Sequence, residues 1–250
     1  MSRQLVKLLW LLAVPLSFVF QFANASPSSD QSSLIPALKL KQKHYYWGDT
    51  ETIVSLDGIR IDNRGRMFYS LVAKSPSWDV IVFRDDDKTY LRQSLSDFES
   101  TGMVNNFVVE KRPRNFGFKK EETLVKFDGI TVKQLVHGPH FYQYLPLGMV
   151  AAKQVERILY IAYKLPTNGG IPVMMRKYSK GTDWLTGIKD PGRHKALLET
   201  SKIENLRVSK SIFDAPLNYK LRGSMQEVLM SKTSRDASGD LEVLIGDKKQ

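Results

Sequence analysis

Residues 51–92, ETIVSLDGIRIDNRGRMFYSLVAKSPSWDVIVFRDDDKTYLR, decide the fold class. Short runs rich in β-branched and aromatic residues (Glu51–Leu56, Ile59–Asp62, Met67–Ala73, Asp79–Arg84, Lys88–Arg92) alternate with Asp57-Gly58, Asn63-Arg64-Gly65, Ser75-Pro76-Ser77 and Asp85-Asp86-Asp87. The separating residues tolerate positive φ or bond their own backbone, so the pattern predicts consecutive antiparallel strands joined by hairpins. Asp79–Arg84 is apolar on both faces, which predicts packing on each side of that strand.

Downstream, Ser94 or Ser96 can cap a short helix over 94–110, with Leu95, Phe98, Met103, Phe107 and Val108 at helix-like intervals broken by Gly102. Strands resume at Thr123–Phe127 and Ile130–Val136 across Asp128-Gly129. Residues 141–154 are ambiguous, with a second short helix starting near Leu147. Arg157–Lys164 and Ile171–Lys177 read as a hairpin around Asn168-Gly169-Gly170, and Leu197–Val208 and Asn218–Leu221 as the last sheet elements. Residues 231–240 and 247–250 are polar enough for a loose tail. The expected fold is mainly β (α+β): a large curved antiparallel sheet with a few short helices against one side.

Upstream, Arg3 and Lys7 precede the apolar run Leu8–Phe20, and Ala23-Asn24-Ala25 offers small residues at signal-peptidase spacing. The run is short for a membrane span and is interrupted by Pro15, so residues 1–25 are expected to be a cleaved signal peptide rather than an anchor. Residues 26–44, Ser- and Pro-rich and then carrying Lys39, Lys41 and Lys43, read as a flexible linker. The folded domain is expected over 45–221, followed by a partly disordered C-terminal extension, 222–250. The chain has no cysteine, which excludes a disulfide framework, a thiolate metal site, a thiol nucleophile and an acylated lipoprotein N-terminus. The single Asn-x-Ser/Thr sequon, at Asn24, straddles the cleavage site. These features favour a bacterial periplasm.

The formal charge is +11, of which Arg3 and Lys7 supply two, leaving +9 after cleavage. Such a balance attracts anions, and in an exported protein these are anionic membrane surfaces, lipid headgroups, acidic polysaccharide or an acidic protein face rather than nucleic acid. The block Lys111–Lys120 concentrates Lys111, Arg112, Arg114, Lys119 and Lys120 around Phe116 and Phe118 and is the expected contact for an anionic surface.

Catalytic signals are weak. His137-Gly-Pro-His140 sits in a turn with no nearby carboxylate to complete a metal site, so no metal is expected. The carboxylates of Asp85-Asp86-Asp87 and Glu121-Glu122 are adjacent in extended chain and point apart. No nucleophile elbow, phosphate loop, dinucleotide fingerprint or zinc-protease motif is present, and neither enzyme activity nor a cofactor is expected. What stands out is large apolar side chains: Phe68, Trp78, Phe83, Tyr90, Phe98, Met103, Phe107, Leu159, Ile161, Tyr163 and Met175 fall on the sheet and its helical cover, where they can line a cavity that holds acyl chains.

Three segments carry a resemblance: Ile53–Asp62, the strand–turn–strand Trp78–Tyr90 ending in Lys-Thr-Tyr, and Ser211-Ile-Phe-Asp-Ala-Pro-Leu-Asn-Tyr-Lys220. With the signal peptide, this order resembles the periplasmic lipoprotein carriers of the LolA/LolB type over about residues 45–221. Asn218 stands where Gly is usual, and Asn also enters the left-handed region. The resemblance implies an unclosed half-barrel with a helical lid over an apolar cavity, a monomer whose partners are lipid or acylated protein, and a functional arginine at Arg60. The extension beyond Lys220 is not part of that pattern. The other expectation, from composition, is a non-enzymatic interaction protein of an envelope complex that docks through its basic surface.

Overall fold

The computed structural model describes residues 34–65, 67–103, 114–115, 122–138, 140–148, 150–182, 189–216 and 218–230, all within one compact unit. Twelve strands form one sheet: β1 (Ile35–His44), β2 (Gly48–Val54), β3 (Gly58–Asn63), β4 (Ser70–Lys74), β5 (Val80–Arg84), β6 (Thr89–Gln93), β7 (Thr123–Phe127), β8 (Ile130–His137), β9 (His140–Pro146), β10 (Gly170–Thr182), β11 (Lys189–Val208) and β12 (Lys220–Leu221). Their order across the sheet is β12-β6-β5-β4-β3-β2-β1-β11-β10-β9-β8-β7. Every neighbour is antiparallel except β12, which runs parallel to β6. The sheet is not closed into a barrel, and the helices α1 (Leu95–Thr101), α2 (Lys153–Tyr163) and α3 (Met225–Leu229) pack on it. The curved, open sheet with a few short helices is therefore the fold that the meander 51–92 predicts.

Alternation along the strands divides the sheet into two faces. Inward, toward the helices, point Leu38 and Leu40 of β1, Val54 of β2, Ile59 and Ile61 of β3, Leu71 and Ala73 of β4, Val80 and Val82 of β5 and Leu91 of β6, all in one core with Phe98, Ile158, Leu159, Val228 and Leu229 of the helices. Outward, a smaller cluster joins Ile35, Ala37, Ile53, Val208 and Phe213, the last from the 3-10 turn Lys210–Phe213. Gly58 makes this second cluster possible: a Cβ there would come within 2.7 Å of the Phe213 ring. Strand β5 is covered on both faces as its composition predicts, since Phe83 lies outward beneath Arg60 and Tyr219.

Three readings of the sequence need correction. Residues 35–44 are not linker but β1, which sits mid-sheet between β11 and β2. Its lysines hid a period-2 strand: Leu38, Leu40, Gln42 and His44 are buried while Lys39, Lys41 and Lys43 point outward, with Lys39 paired to Glu51 at 2.6 Å. Arg157–Lys164 is not a strand but the body of α2, whose buried residues Val155, Ile158, Leu159, Ala162 and Tyr163 recur at helical spacing once the window starts at Lys153. The C-terminal extension contributes α3 to the core; residues 231–250 lie outside the described residues. Other boundaries shift: α1 ends at Gly102 (φ 71°), and β11 begins at Lys189, upstream of the Leu197 read from sequence. Asp128-Gly129 forms the expected hairpin turn, both residues at positive φ (49° and 79°).

Candidate functional site

The inner face beneath the helices is the candidate site. Its largest fully buried side chains include Tyr69, Phe98, Met103, Ile158, Leu159, Tyr163 and Leu165, so the helices supply much of the volume that fills it. Of the residues expected to line a cavity, Trp78, Phe98, Met103, Leu159, Tyr163 and Met175 meet in this one cluster, and Ile161 packs at its margin. Arg60, Phe83 and Tyr90 do not reach the space between sheet and helices. They occupy outward positions on β3, β5 and β6, opposite in phase to Ile59, Val82 and Leu91. Arg60 donates from Nε to Asp62 Oδ2 (2.7 Å) and from Nη1 to the Ile212 carbonyl (3.1 Å), and its guanidinium lies 5.9 Å from the Phe83 ring centroid. Phe68 sits exposed in the turn before β4 at φ 47°, and Phe107 lies outside the described residues.

Polar groups fasten α2 at both ends. Toward its N-terminus the buried Glu156 carboxylate accepts from Arg114 Nε (2.9 Å) and Nη2 and from the Thr167 hydroxyl. Arg114 is thus an internal tie: its backbone carbonyl also accepts the N–H groups of Thr167 and Asn168, each at 3.1 Å. Lys111, Arg112, Lys119 and Lys120, the other members of that basic block named as anion contacts, lie outside the described residues. At its C-terminal end the Tyr163 hydroxyl donates to Gln42 Oε1 (2.7 Å) and accepts from Thr52 Oγ1 (2.5 Å). Gln42 Nε2 in turn donates to Thr200 Oγ1 (2.9 Å) and the Pro172 carbonyl (3.0 Å). His44 completes this end. Nδ1 accepts the N–H groups of Tyr46 (3.1 Å) and Trp47 (3.3 Å), which places the ring proton on Nε2, where it donates to the Tyr163 carbonyl at 3.0 Å. Burial pushes the Tyr163 phenol up to about 12, so it remains a neutral donor.

Helix α1 is held differently. Ser94 caps it by accepting from Asp97 N (3.1 Å), Phe98 is its one buried side chain, and its Glu99 meets Arg157 of α2 in a partly exposed pair (Nε to Oε1 2.5 Å). Helix α3 is tied by Arg84, which donates to the carbonyls of Leu229 (2.9 Å) and Met67 (3.0 Å) while pairing with Asp86.

Two grooves lined by described residues open on the outer face. One of about 610 Å³ runs past Lys41, Lys43, Asp49, Glu51, Arg64 and Glu199, three charges of each sign. The other, about 480 Å³, has Val72, Ile81 and Phe213 in its lining, with the ion pairs Lys74–Asp214 and Arg92–Asp79 at its rim. Among the described residues no cluster of His, Asp or Glu is arranged to hold a metal, and no helix is long and apolar enough to cross a membrane. His140 Nδ1 accepts the Tyr178 backbone N–H at 3.3 Å.

Sequence reasoning missed the polar fastenings: Gln42, Thr52, Glu156 and Thr200. The available signal was phase, since Gln42 continues the inward alternation of Leu38 and Leu40, and Glu156 sits within the apolar stripe of α2. Compared with known proteins, the chain matches no family model and no curated relative.

Proposed function

We propose that this protein binds and carries hydrophobic ligands, the acyl chains of lipid or of acylated protein, in the bacterial envelope, reaching the periplasm through the signal peptide at residues 1–25. The single observation that carries the reading is how the inner face is covered. An open sheet lined with aliphatic and aromatic side chains is closed by three short, separate helices, and one of them, α1, fully buries a single ring, Phe98, beside the part-buried Leu95 and the Glu99–Arg157 ion pair. Displacing α1 with Phe98 and Met103 exposes apolar volume that an acyl chain can fill without any required hydrogen bond. Burial of a fourteen-carbon chain yields about 11 kcal/mol at roughly 0.8 kcal/mol per methylene, so release rather than affinity is the demanding step. A weakly held cover serves release. The likeness of residues 45–221 to the LolA/LolB-type carriers points the same way, and the charges of Lys111, Arg112, Lys119 and Lys120 suit an anionic headgroup.

A second reading rests on the outer face, where two grooves with charged rims suit a non-enzymatic envelope protein that docks a partner. Lipid extraction of protein purified from the periplasm, followed by mass spectrometry and by uptake assays with radiolabelled palmitate, separates the two. Bound or bindable lipid supports the carrier; an absence of both, together with a salt-sensitive pull-down of a protein partner, selects the docking protein.

A further inference from the structure

Strands β10 and β11 run on past their neighbours. The last pair between β9 and β10 is Phe141 with Arg176, and the last between β1 and β11 is His44 with Leu198, so residues 177–182 and 189–195 continue as a two-stranded ribbon. Its one bond to β9 is from the Tyr178 N–H to His140 Nδ1. At about 3.3 Å per residue, the six residues 177–182 reach roughly 20 Å. None of the ribbon residues joins either hydrophobic cluster. Five of them are basic, Lys177, Lys180, Lys189, Arg193 and Lys195, against one acidic residue, Asp190. Lys177, Lys180, Lys189 and Arg193 are exposed.

The two faces of the ribbon differ, because residues directly opposite in an antiparallel pair project to the same side. On one face Tyr178 lies opposite His194, their ring centroids 5.5 Å apart, and covers Gly192, where a Cβ would collide with its hydroxyl. On the other, Lys177 lies directly opposite Lys195, and Arg193 follows two residues along, opposite Ser179. Like charges in facing positions repel, and a two-stranded ribbon is marginally stable by itself. In the middle of the sheet the arrangement is the reverse: Lys39 faces Glu204, Lys41 faces Glu51, and Lys43 faces both Asp49 and Glu199. Among the described residues Lys177, Lys180 and Lys189 enter no ion pair, whereas Arg176, at the base of the ribbon, meets Glu199 at 2.8 Å. The counter-charge for these lysines has to come from outside the domain.

We propose that the ribbon docks the protein on an anionic lipid bilayer, with Lys177, Lys180, Lys189, Arg193 and Lys195 against the headgroups. A protein partner fits less well, since stable protein interfaces centre on desolvated aromatic or apolar anchors, and the large ring among the described ribbon residues, Tyr178, is packed on the face away from Lys177 and Lys195. Separate cations on long stems match a plane of headgroups, where each one adds attraction without needing a shaped pocket. The inference rests on the envelope location proposed above and is independent of acyl-chain binding. It turns the end of the sheet where His44 pairs with Leu198 toward the membrane.

Co-sedimentation of protein purified from the periplasm tests this, with vesicles of phosphatidylcholine containing about one-third phosphatidylglycerol and with vesicles of phosphatidylcholine alone. Wild-type protein should bind the anionic vesicles, leave the neutral ones, and be released by salt. The triple variant Lys177→Gln, Lys180→Gln, Lys189→Gln is expected to bind roughly hundredfold more weakly, about fivefold for each lysine. A control with the same change in net charge, Lys126→Gln, Lys210→Gln, Lys220→Gln, should stay within about threefold of wild type. Full binding by the ribbon variant, or an equal loss in the control, overturns the assignment; so does tighter binding of wild type to polyglutamate than to the anionic vesicles, which would mark an acidic protein partner. Should the ribbon variant not fold, hydrogen exchange of the wild type decides: slowing over 177–182 and 189–195 with anionic vesicles alone supports the docking surface, and unchanged exchange there overturns it. Protein that takes up lipid yet ignores anionic vesicles sinks this inference and spares the carrier reading, while vesicle binding without lipid uptake does the opposite.

Discussion

Helices α1 and α2 cover the same inner face and touch each other, yet they are attached by different physics. Helix α2 buries Val155, Ile158, Leu159, Ala162 and Tyr163 and is pinned at one end by Glu156 with Arg114 and Thr167, at the other by Tyr163 with Gln42, Thr52 and His44. Helix α1 buries Phe98 alone and adds a partly exposed ion pair. The difference teaches that a helical cover need not be uniformly loose to open. A fixed wall beside a lightly held flap confines any opening to one side, and local opening free energies track the number of buried contacts a segment makes.

Leu159→Ala should produce the largest effect. It leaves a cavity at a position with no solvent exposure and is expected to destabilise the whole domain by about 2–5 kcal/mol, read as a shift of the denaturation midpoint. A mild, local loss would mean that α2 is as detachable as α1. Arg114→Ala comes next. It strips the principal cation from the buried Glu156 carboxylate, leaving Thr167, and should cost about 1–3 kcal/mol, with Glu156→Gln on the same background recovering part of the loss. Recovery would separate an unpaired buried charge from lost packing.

Phe98→Ala sharpens the contrast. Amide hydrogen exchange of residues 95–101 should accelerate at least tenfold while exchange in α2 stays nearly unchanged; acceleration in both helices would show one cooperative cover and refute the flap. The smallest effect concerns α3. The Arg84 hydrogen bond holds the Asp86 carboxyl below its ordinary value of 3.8, so the contribution of this pair is complete above that pH and fades as pH falls through the lower folded value. Melting temperature should therefore drop on acidification below about pH 4, and Asp86→Asn should flatten that slope slightly, since Asp86 is half exposed and the pair is screened. An identical slope in the variant would remove Asp86 from the account.

Much of the fold was legible in residues 51–92, because hairpins are local: strand period, turn residue and register all lie within a dozen positions of each other. The same holds for Asp128-Gly129, which joins β7 to β8. Two kinds of error came from non-local causes. The run 157–164 is as apolar as a strand, and only a surface to pack on makes it the exposed-and-buried helix that it is. The lysines of β1 resemble a linker until acidic residues of the neighbouring strands stand beside them, as Glu51 does beside Lys39 and Glu204 across from it. Of the candidate site, the aromatic and methionine content was visible, but which side chains share a face was not: Phe83 and Leu159 look equivalent in sequence and lie on opposite sides of the sheet.

By itself, then, the amino-acid sequence determined the class of structure, a meandering antiparallel sheet without disulfides or a recognisable catalytic motif, since alternation and turn chemistry act over a few residues. Only the tertiary structure decided that β1 lies in the middle, that α2 is fixed while α1 is lightly held, and that β10 and β11 run on past β9 and β1. Those outcomes depend on groups far apart in the chain, Gln42 with Tyr163 or Arg114 with Glu156, whose meeting is set by long-range packing and burial.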